Sequence, residues 1–415
     1  MDRSVNQPHH KQMISMPKRH CMVVFAHYPA SETRVERQTS ALIQKGFDVD
    51  IFCLRDFRSL DEQSFEKVDG ASVHRLPVTR SYGKVSYFRQ FLEYLVFFIL
   101  AMLALIRKQP QRRYDVIQVH NLPDFLIFAA WFPKLLGARL ILDLHDLMPE
   151  FFAARTDRRM DHWLIRLMII QERLSCHFAN HVITVTEMWK QTLVSRGLSP
   201  DKVSVVMNVA DDRVFNRLSR PTLQHNGRAF HLLYHGQLVS RYGVDLIIQA
   251  VACLGDQIPG LHLTIHNTSV GPYATSLVEL ANQLGITDRV YFSRDHYPVD
   301  ELAELICTAD VGLVPYRRDI FTDGILPTKL MEYTALGIPA IVARTPAIEA
   351  YFDETMVQFF TAGDVADLAR SILTLYQDRQ RLNAFSQNAD KFNQCFNWQT
   401  VSADYIALIE RISPR

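Results

Sequence analysis

The sequence predicts an α/β protein with two Rossmann-like domains. Short apolar runs typical of buried strands alternate with helical patterns, and helical crossovers between strands favour parallel pairing. The alternation stops at a polar, irregular stretch that contains Pro221 and Asn226-Gly227, and it starts again beyond that stretch. The chain has 415 residues, which is more than one hydrophobic core usually supports. We therefore expect two separate cores joined by a linker.

The predicted boundaries follow from these changes in pattern. We expect a disordered tail over 1–18, a first domain over 19–210, a linker over 211–226, a second domain over 227–395, and a closing helix over 396–415 that crosses back to the first domain. The tail is polar and lacks the apolar core of a secretion signal, so we expect the protein in the cytoplasm.

Composition argues against two classes of ligand. Lys plus Arg is 45 and Asp plus Glu is 44, and this net charge of +1 argues against a general nucleic-acid binder. The six cysteines are scattered and form no C-x-x-C pair, which predicts a reducing compartment and no zinc site. We therefore expect no nucleic-acid partner and no metal.

In the first domain, apolar runs predict the strands and apolar periodicity predicts the helices. The predicted strands are 21–26, 49–53, 73–76, 116–120, 140–144, 182–185 and 203–206, and the predicted helices include 35–45 and 164–177. Loops at the carboxyl ends of parallel strands meet where ligands bind. His145, Asp146 and Glu150 follow one such strand, so they form either a functional cluster or an ordinary polar loop.

The most apolar segment of the chain, residues 91–106, has basic residues on both sides. A membrane-spanning helix needs roughly 20 apolar residues, and this run is shorter and contains Glu93. Two interpretations remain: a buried helix, or a helix that lies in a membrane surface with its basic flanks on anionic headgroups. The aromatic side chains and the paired basic ends favour membrane-surface contact through residues 84–113.

The second domain repeats the pattern of the first. Its predicted strands are 232–236, 261–265, 290–292, 311–314 and 340–343, and its predicted helices include 244–254, 276–284, 301–309 and 364–375. Arg241 lies in the loop between Gly236 and Gly243, after the first of these strands. A guanidinium pairs bidentately with phosphate oxygens, so Arg241 is either a phosphate ligand or a solvated loop residue.

Residues 326–339 connect two of these strands through a helix that is predicted to start near Pro327 or Thr328. A helix N-terminus collects anions, and Lys329 adds a full positive charge in the first turn. Glu332 lies past the capping-box position, so capping explains it poorly, and it is within reach of a ligand's hydroxyl groups. A solvated lysine and a locally capping glutamate remain the alternative.

Several stretches match the motifs of one family in the same order. They are residues 143–150, 208–215, 234–245 and 326–339, together with Trp398 before the closing helix. This combination resembles the family 4 retaining glycosyltransferases, and in particular a bacterial cell-surface polysaccharide subgroup. The resemblance implies the GT-B architecture, in which two Rossmann-like domains face each other across a cleft.

The resemblance also implies roles for individual residues. Glu332 would accept hydrogen bonds from the donor's ribose, and Lys329 and Arg241 would neutralise the donor's diphosphate. His145 and Asp323 would be catalytic, and His145 would contact the transferred sugar. The other binding residues would be Gly236 in the phosphate loop and Gly324 and Leu326 in the sugar-binding loop. No cofactor and no metal are implied, because basic residues take the place of a cation.

Three positions depart from the family pattern. The family's E-x7-E motif would place its first glutamate at position 324, where this chain has Gly324. The usual arginine and lysine of the phosphate loop fall at Gln237 and Tyr242. Arg241 and Lys329 would carry their charge instead.

The expected function is that of a metal-independent hexosyltransferase. It would move a sugar from a nucleoside-diphosphate sugar to a lipid-linked or polysaccharide acceptor in cell-surface glycan biosynthesis. The apolar segment with basic flanks would hold the protein on the inner face of the cytoplasmic membrane. Two alternatives remain: a nucleotide-sugar epimerase of similar fold, and a non-catalytic glycan-assembly subunit.

Overall fold

The computed structural model describes residues 17–29, 32–56, 62–81, 86–216, 229–267, 271–293 and 299–414, without the side chains of residues 299 and 300. Most of the predicted tail, most of the predicted linker, and residues 84 and 85 of the predicted membrane segment lie outside these ranges. Packing divides the chain into two compact units. The first comprises Met1–His120, Leu126–Ile141 and Ile409–Arg415, and the second comprises Asn121–Phe125 and Leu142–Leu408.

The first unit is a sheet flanked by helices. Its elements are β1 (Arg19–Val23), α1 (Thr33–Gln44), β2 (Asp48–Leu54), β3 (Phe65–Val68), β4 (Ala71–Leu76), α2 (Tyr87–Arg112), β5 (Val116–His120), α3 (Trp131–Leu135) and the start of β6 (Arg139–Leu144). The strand order is β3-β4-β2-β1-β5, and all pairs are parallel except β3 with β4. Strands β1, β2 and β5 are almost wholly buried, as expected for parallel strands with both faces covered.

Strand β3 is the element of this unit that the sequence pattern misses. Its four residues include Glu66 and Lys67, so it has no apolar run, and it forms a short strand beside β4 at the edge of the sheet. Charged residues are common on such edge strands because they discourage pairing with other chains.

Helix α2 is longer than the sequence pattern suggests. It has 26 residues and is the one helix of the described residues that is long and apolar enough to cross a membrane, judged by length and composition only. The helix extends beyond the predicted apolar run 91–106 at both ends, and the expectation that it does not span a membrane stays a prediction. One stripe, Phe97, Ala101, Leu105 and Gln109, is buried, and Phe97 packs its ring edge-on against Phe25 at 5.2 Å between ring centres.

The second unit contains the rest of the chain. Its elements are the end of β6, α4 (Met148–Thr156), α5 (Trp163–Phe178), β7 (His181–Thr184), α6 (Glu187–Ser195), β8 (Val203–Val205), β9 (His231–His235), α7 (Val244–Leu254), β10 (His262–His266), α8 (Pro272–Gln283), β11 (Val290–Ser293), α9 (Val299–Cys307), β12 (Val311–Val314), α10 (Thr328–Ala335), β13 (Ala340–Ala343), α11 (Pro346–Glu349), β14 (Gln358–Phe360), α12 (Val365–Gln377), α13 (Arg379–Cys395) and α14 (Trp398–Ile412), whose last residues pack with the first unit.

Six of these strands form a fully parallel sheet with the order β11-β10-β9-β12-β13-β14. The predicted parallel crossover from β12 through α10 to β13 is confirmed, with Gly312 opposite Ala340. Strand β14 and helix α11 were not predicted; each has four residues or fewer, so neither leaves a periodic signal.

The two compact units do not coincide with the two predicted domains. The second unit includes β7 and β8, which the sequence pattern assigns to the first domain. The compact units are defined by packing, whereas the predicted domains are defined by where the sequence becomes polar. The domain boundaries, including the closing helix that crosses back, therefore stay predictions.

Candidate functional site

The carboxyl end of β9 and the N-terminus of α10 meet at the side chain of Lys329. Lys329 is only 6% exposed, although it lies in the first turn of its helix. Its ammonium lies 4.0 Å from the ring centre of Tyr234 and 5.4 Å from those of Tyr242 and Tyr316. These three rings form a cage around the charge, and we call it the tyrosine cage.

Aromatic rings, and no acidic side chain of the described residues, surround the ammonium of Lys329. Among the described residues, no carboxylate lies within 4.0 Å of its ammonium. Burial lowers the pKa of Lys329 to about 7, and the charge of Glu332 opposes that shift only in part. Aromatic faces stabilise a cation, but they do not replace the hydrogen bonds of water. The ammonium is therefore suited to an incoming anion.

Two glycines shape the backbone around this ammonium. Gly236 has a φ of +112°, and a Cβ there would lie 3.2 Å from the Lys329 Nζ. Gly243 has a φ of +67°, and a Cβ there would lie 2.0 Å from the carbonyl oxygen of Pro315. A side chain at Gly236 would crowd the ammonium, and one at Gly243 would clash with backbone. The predicted phosphate loop thus depends on both glycines.

Arg241 lies at the other end of this loop, in a short 3-10 turn before α7. Its guanidinium carbon lies 5.6 Å from the ring centre of Phe321 and 5.9 Å from that of Phe151. Its Nη1 is buried and has no hydrogen-bond partner among the described residues. A buried donor without an acceptor is costly, so this nitrogen is suited to an anionic ligand.

The loop that follows β12 is held rigidly beside Arg241. The Arg317 guanidinium binds both carboxylate oxygens of Asp245 at 2.8 and 2.7 Å, and the backbone N–H of Arg317 donates to the Arg241 carbonyl at 2.9 Å. The Asp319 carboxylate accepts from the backbone N–H groups of Phe321 and Thr322. These bonds fix Arg241 and Phe321 relative to each other.

Glu332 lies one turn into α10 and does not cap it. The N-cap is Pro327, so Glu332 is the fifth helical residue. Its Oε2 lies 3.3 Å from the Nε2 of His235. Burial, followed by the charge of Lys329, lowers the pKa of His235 well below its usual range, so this imidazole is neutral. His235 was not predicted as a site residue, although it ends a strand directly before Gly236.

His145 follows β6, as predicted, and its loop is held by Asn121. The Asn121 side chain accepts from the backbone N–H of His145 at 3.1 Å and donates to the Asp146 carbonyl and to Asp124. The Asp146 carboxylate adds to the effect of burial in raising the pKa of Tyr242. The loop of His145 therefore lies near the tyrosine cage. Sequence reasoning missed Asn121.

Glu150, which the sequence groups with His145, has a different partner. Its carboxylate and that of Glu172 both bind the guanidinium of Arg196, the latter at 2.7 Å. Burial raises the pKa of Glu172 to about 8 and that of Asp124 to about 7. We call Asp124, Glu150, Glu172 and Arg196 the buried acid cluster. One member of the cluster, Asp124, accepts a hydrogen bond from Asn121, which in turn holds the loop of His145.

The predicted sugar-binding loop contains Asp323, Gly324 and Leu326. The Asp323 carboxylate binds the guanidinium of Arg318 at 3.0 and 2.8 Å. The Gly324 carbonyl accepts from the hydroxyl of Thr186 at 3.0 Å, and Leu326 is buried. Among the residues that the structure describes, no group of three or more His, Cys, Asp or Glu side chains could hold a metal ion. The predicted roles of Asp323, Gly324 and Leu326 in binding the sugar stay predictions.

Comparisons with known proteins agree with this architecture. The family described as "Glycosyl transferase 4-like domain" matches residues 30–208, and the family described as "Glycosyl transferases group 1" matches residues 216–392. The chain is 25% identical over 382 residues to a D-inositol 3-phosphate glycosyltransferase from Arthrobacter sp. (strain FB24), covering 89% of this chain and 87% of the relative.

Solved structures with the same fold include two with high coverage. Sucrose-phosphate synthase from Thermosynechococcus elongatus superposes with a TM-score of 0.75 at 16% identity, over 95% of this chain and 99% of that one. Anabaena Alr3699/HepE in complex with UDP-glucose superposes with a TM-score of 0.70 at 17% identity, again over 95% and 99%. At such identities the likeness shows the fold, and it confirms the predicted fold class.

Proposed function

Because this chain belongs to the GT-B glycosyltransferases, we propose that it is a retaining, metal-independent hexosyltransferase that uses a nucleoside-diphosphate sugar. Its acceptor would be a lipid-linked glycan or a polysaccharide in cell-surface glycan biosynthesis. The retaining outcome and the cell-surface acceptor rest on the resemblance of residues 143–150 and 326–339 to family 4.

One observation carries the donor assignment. Lys329 is a buried ammonium with no carboxylate partner among the described residues, and Arg241 has a buried Nη1 with no acceptor there. Tyr242 connects these two cations, because its ring faces Lys329 and it follows Arg241 directly in the chain. Two cations without acidic partners among the described residues, one on the glycine-bounded loop and one at the start of α10, are the complement of a diphosphate.

This arrangement supports the breaking of a glycosyl–phosphate bond. As that bond breaks, negative charge develops on the departing diphosphate, and the fixed cations stabilise it. Lys329 adds to the positive end of α10, where free backbone N–H groups favour anions. Lys329 is only 6% exposed, so the interaction takes place largely out of water and is stronger than in solvent.

We propose that Glu332 binds the sugar part of the nucleoside. Its carboxylate lies next to a neutral imidazole, so no positive charge on His235 competes for it. A carboxylate accepts hydrogen bonds and donates none, and vicinal ribose hydroxyls supply two donors. Glu332 would therefore orient the donor so that its diphosphate reaches Lys329.

His145 and Asp323 would act on the transferred sugar. Asn121 fixes the backbone of His145, so the point from which the imidazole extends is defined. The Asp323 carboxylate is held by Arg318, which gives it a defined direction as well. We propose that His145 contacts the sugar beside the bond that breaks, and that the loop of Asp323, Gly324 and Leu326 holds the far side of the sugar.

Helix α2 supports a membrane-surface location. Only 17% of its most apolar window is buried, and Phe88 and Leu103 are 72% and 53% exposed. The buried stripe from Phe97 to Gln109 packs within the first unit, so the helix is held along that unit. We propose that the exposed apolar side of α2 lies in a membrane surface. Its basic end, which includes Arg107 and Lys108, would contact anionic headgroups.

Donor binding tests the proposal directly. Purified protein is titrated by calorimetry with UDP-, GDP-, ADP- and dTDP-sugars, and release of nucleoside diphosphate is measured with each. We expect micromolar binding of at least one donor, and roughly 100-fold weaker binding by Arg241→Ala. If the protein neither binds nor hydrolyses any of them, the proposal is wrong.

The same experiment separates the alternatives, which the comparisons do not favour. A nucleotide-sugar epimerase would convert the donor into its isomer without any acceptor, and the products would show this by chromatography. A non-catalytic assembly subunit would bind no nucleotide sugar.

A further inference from the structure

The indole of Trp189 fills the space beside Gly324. Trp189 lies on α6 and is 2% exposed. A Cβ at Gly324 would lie 2.2 Å from Cη2 of this indole and 2.6 Å from its Cζ2. Carbon atoms pack at about 3.5–4.0 Å, so no side chain fits at this position while Trp189 is in place. The glycine and the tryptophan therefore form a matched pair.

Hydrogen bonds hold this pair together. The hydroxyl of Thr186 accepts from the backbone N–H of Trp189 at 3.2 Å and donates to the Gly324 carbonyl at 3.0 Å. The next residue, Glu187, donates its backbone N–H to the hydroxyl of Tyr351 at 2.9 Å. Thr186 is itself buried. The start of α6 is thus fixed directly on the loop that carries Gly324.

Aromatic contacts connect Trp189 to the cationic end of the site. Its ring centre lies 6.3 Å from that of Phe321, and Phe321 lies 5.6 Å from the guanidinium of Arg241. The order Arg241, Phe321, Trp189 therefore leads from the diphosphate site towards Gly324. In a nucleoside-diphosphate sugar, the sugar is bonded to the diphosphate on the side opposite the ribose. With the ribose at Glu332, the transferred sugar would lie towards Trp189.

Among the described residues at this end of the site, positions 323, 324 and 189 differ in what they offer a sugar. Position 324 has no side chain, and the carboxylate of Asp323 is bound by Arg318. The Trp189 Nε1, in contrast, is a buried donor without a hydrogen-bond partner among the described residues. An indole N–H can donate and cannot accept, whereas a carboxylate can accept and cannot donate.

We propose that Trp189 is a specificity-determining residue of the sugar subsite and selects a donor sugar with an acetamido group. The carbonyl of an acetamido group accepts the indole N–H, and its methyl group packs on apolar ring surface. A glutamate at position 324 would instead select free hydroxyl groups. This inference rests on the proposed function, because it takes the donor to be a nucleoside-diphosphate sugar.

The test compares UDP-N-acetylglucosamine, UDP-glucose and UDP by calorimetry. We expect the acetamido sugar to bind about tenfold more tightly than the hexose, since one satisfied buried hydrogen bond contributes about that factor. In Trp189→Phe, which keeps a ring against Gly324 and removes the N–H, the two sugars should bind equally and the affinity for UDP should stay unchanged. A purely structural role would change all three affinities together.

A second set of variants removes the indole donor at position 189 and introduces a carboxylate acceptor at position 324. Gly324→Glu alone should lower the thermal midpoint, because its Cβ meets the indole. The double variant Gly324→Glu with Trp189→Ala should recover that midpoint and prefer UDP-glucose. An unchanged sugar ratio in Trp189→Phe would overturn the proposal. So would equal binding of both sugars by the unmodified protein, or binding of another nucleotide sugar but neither UDP sugar. Failure of every donor to bind would instead contradict the proposed function.

Discussion

Lys329 and Tyr234 are held together by a cation–π contact, with the ammonium 4.0 Å from the ring centre. The hydroxyl of the same tyrosine donates to the Gln237 carbonyl at 2.7 Å, which fixes the ring under the charge. The second ring of the cage, Tyr242, stacks on Tyr316 at 4.6 Å between ring centres. At position 242, where the family pattern has a side-chain cation, the phosphate loop therefore supplies an aromatic face, and the charge comes from Lys329 of α10 and from Arg241.

Replacing Lys329 with methionine is expected to weaken donor binding and, at the same time, to stabilise the fold. Lys329→Met should weaken donor binding about 100-fold, because a charge-assisted bond to phosphate is lost. It should also raise the thermal midpoint by about 2–4 °C, because methionine can be buried without losing hydration. Calorimetry and thermal unfolding measure the two effects. Lys391→Met, at an exposed lysine, is the matched control and should change neither. Unchanged donor affinity in Lys329→Met would contradict the assignment.

The affinity for donor should depend on pH through Lys329. Burial lowers its pKa to about 7, so the free protein loses this charge as pH rises above 7. A bound diphosphate favours the protonated form, so binding must take up a proton at higher pH. We expect the affinity to fall up to tenfold per pH unit between about 7 and 9. A nucleotide sugar is the right probe, because its diphosphate does not titrate in this range.

Lys329→Arg is the control for this pH dependence. Arginine stays protonated across the whole range, so its affinity should be nearly independent of pH even if it is weaker. A sloping profile in the arginine variant would show that another group titrates on binding.

Local patterns in the sequence are enough to predict the strands and the start of α10. Runs such as 311–314 are apolar because both faces of a parallel strand are buried. Lys329 could be predicted as a site residue because it lies at a helix N-terminus. The fold class and the parallel crossover through α10 could therefore be predicted. Strands β3 and β14 could not, because they are short and their residues have no clear periodicity.

Contacts between distant parts of the chain left no local signal. The tyrosine cage combines residues from β9, from the loop after it, and from the loop after β12. In the sequence, Gly324 shows only that the family's glutamate is absent. The structure adds that Trp189 occupies the space that a side chain at this position would need. Asn121 looks like an ordinary loop residue, because the backbone that it holds lies beyond another strand. Such pairings depend on the tertiary fold.

Asn121 is expected to act on turnover through His145. Asn121→Ala removes the acceptor for the backbone N–H of His145 and the donor to the Asp146 carbonyl. We expect kcat to fall about 10- to 100-fold with little change in donor affinity, because Asn121→Ala would misplace His145, which we propose contacts the sugar beside the bond that breaks. Asn121→Ser, which keeps a small polar group, should recover part of the loss. Equal losses in donor affinity and kcat would indicate general unfolding of the loop.

The buried acid cluster should make stability depend on pH. Burial raises the pKa of Glu172 from 4.5 to about 8, so the folded protein holds a proton that the unfolded chain has already lost. The free energy of unfolding should therefore decrease as pH rises from about 5 to 8. Glu172→Gln keeps an acceptor for Arg196 and needs no proton. We expect it to unfold about 5 °C higher than the unmodified protein at pH 8.5 and at about the same temperature at pH 5.

Glu349→Gln is a suitable control for that measurement, since Glu349 is partly exposed and binds Arg344. It should leave the pH dependence unchanged. Loss of stability in Glu172→Gln at every pH would show that the ion pair with Arg196 outweighs the burial of the charge.

The exposed face of α2 is expected to carry membrane binding. Phe88→Asp with Leu103→Asp places two charges on this face, whereas Phe97 is buried and would be expected to unfold the unit if it were changed. In flotation with vesicles of phosphatidylglycerol and phosphatidylcholine, the double variant should lose most of its vesicle-bound fraction, because a buried charge costs several kcal/mol at a membrane surface. Tyr291→Asp, at an exposed aromatic residue of β11, is the matched control and should still float. Unchanged donor affinity shows that both variants are folded. Equal flotation of the two variants would contradict a membrane role for α2.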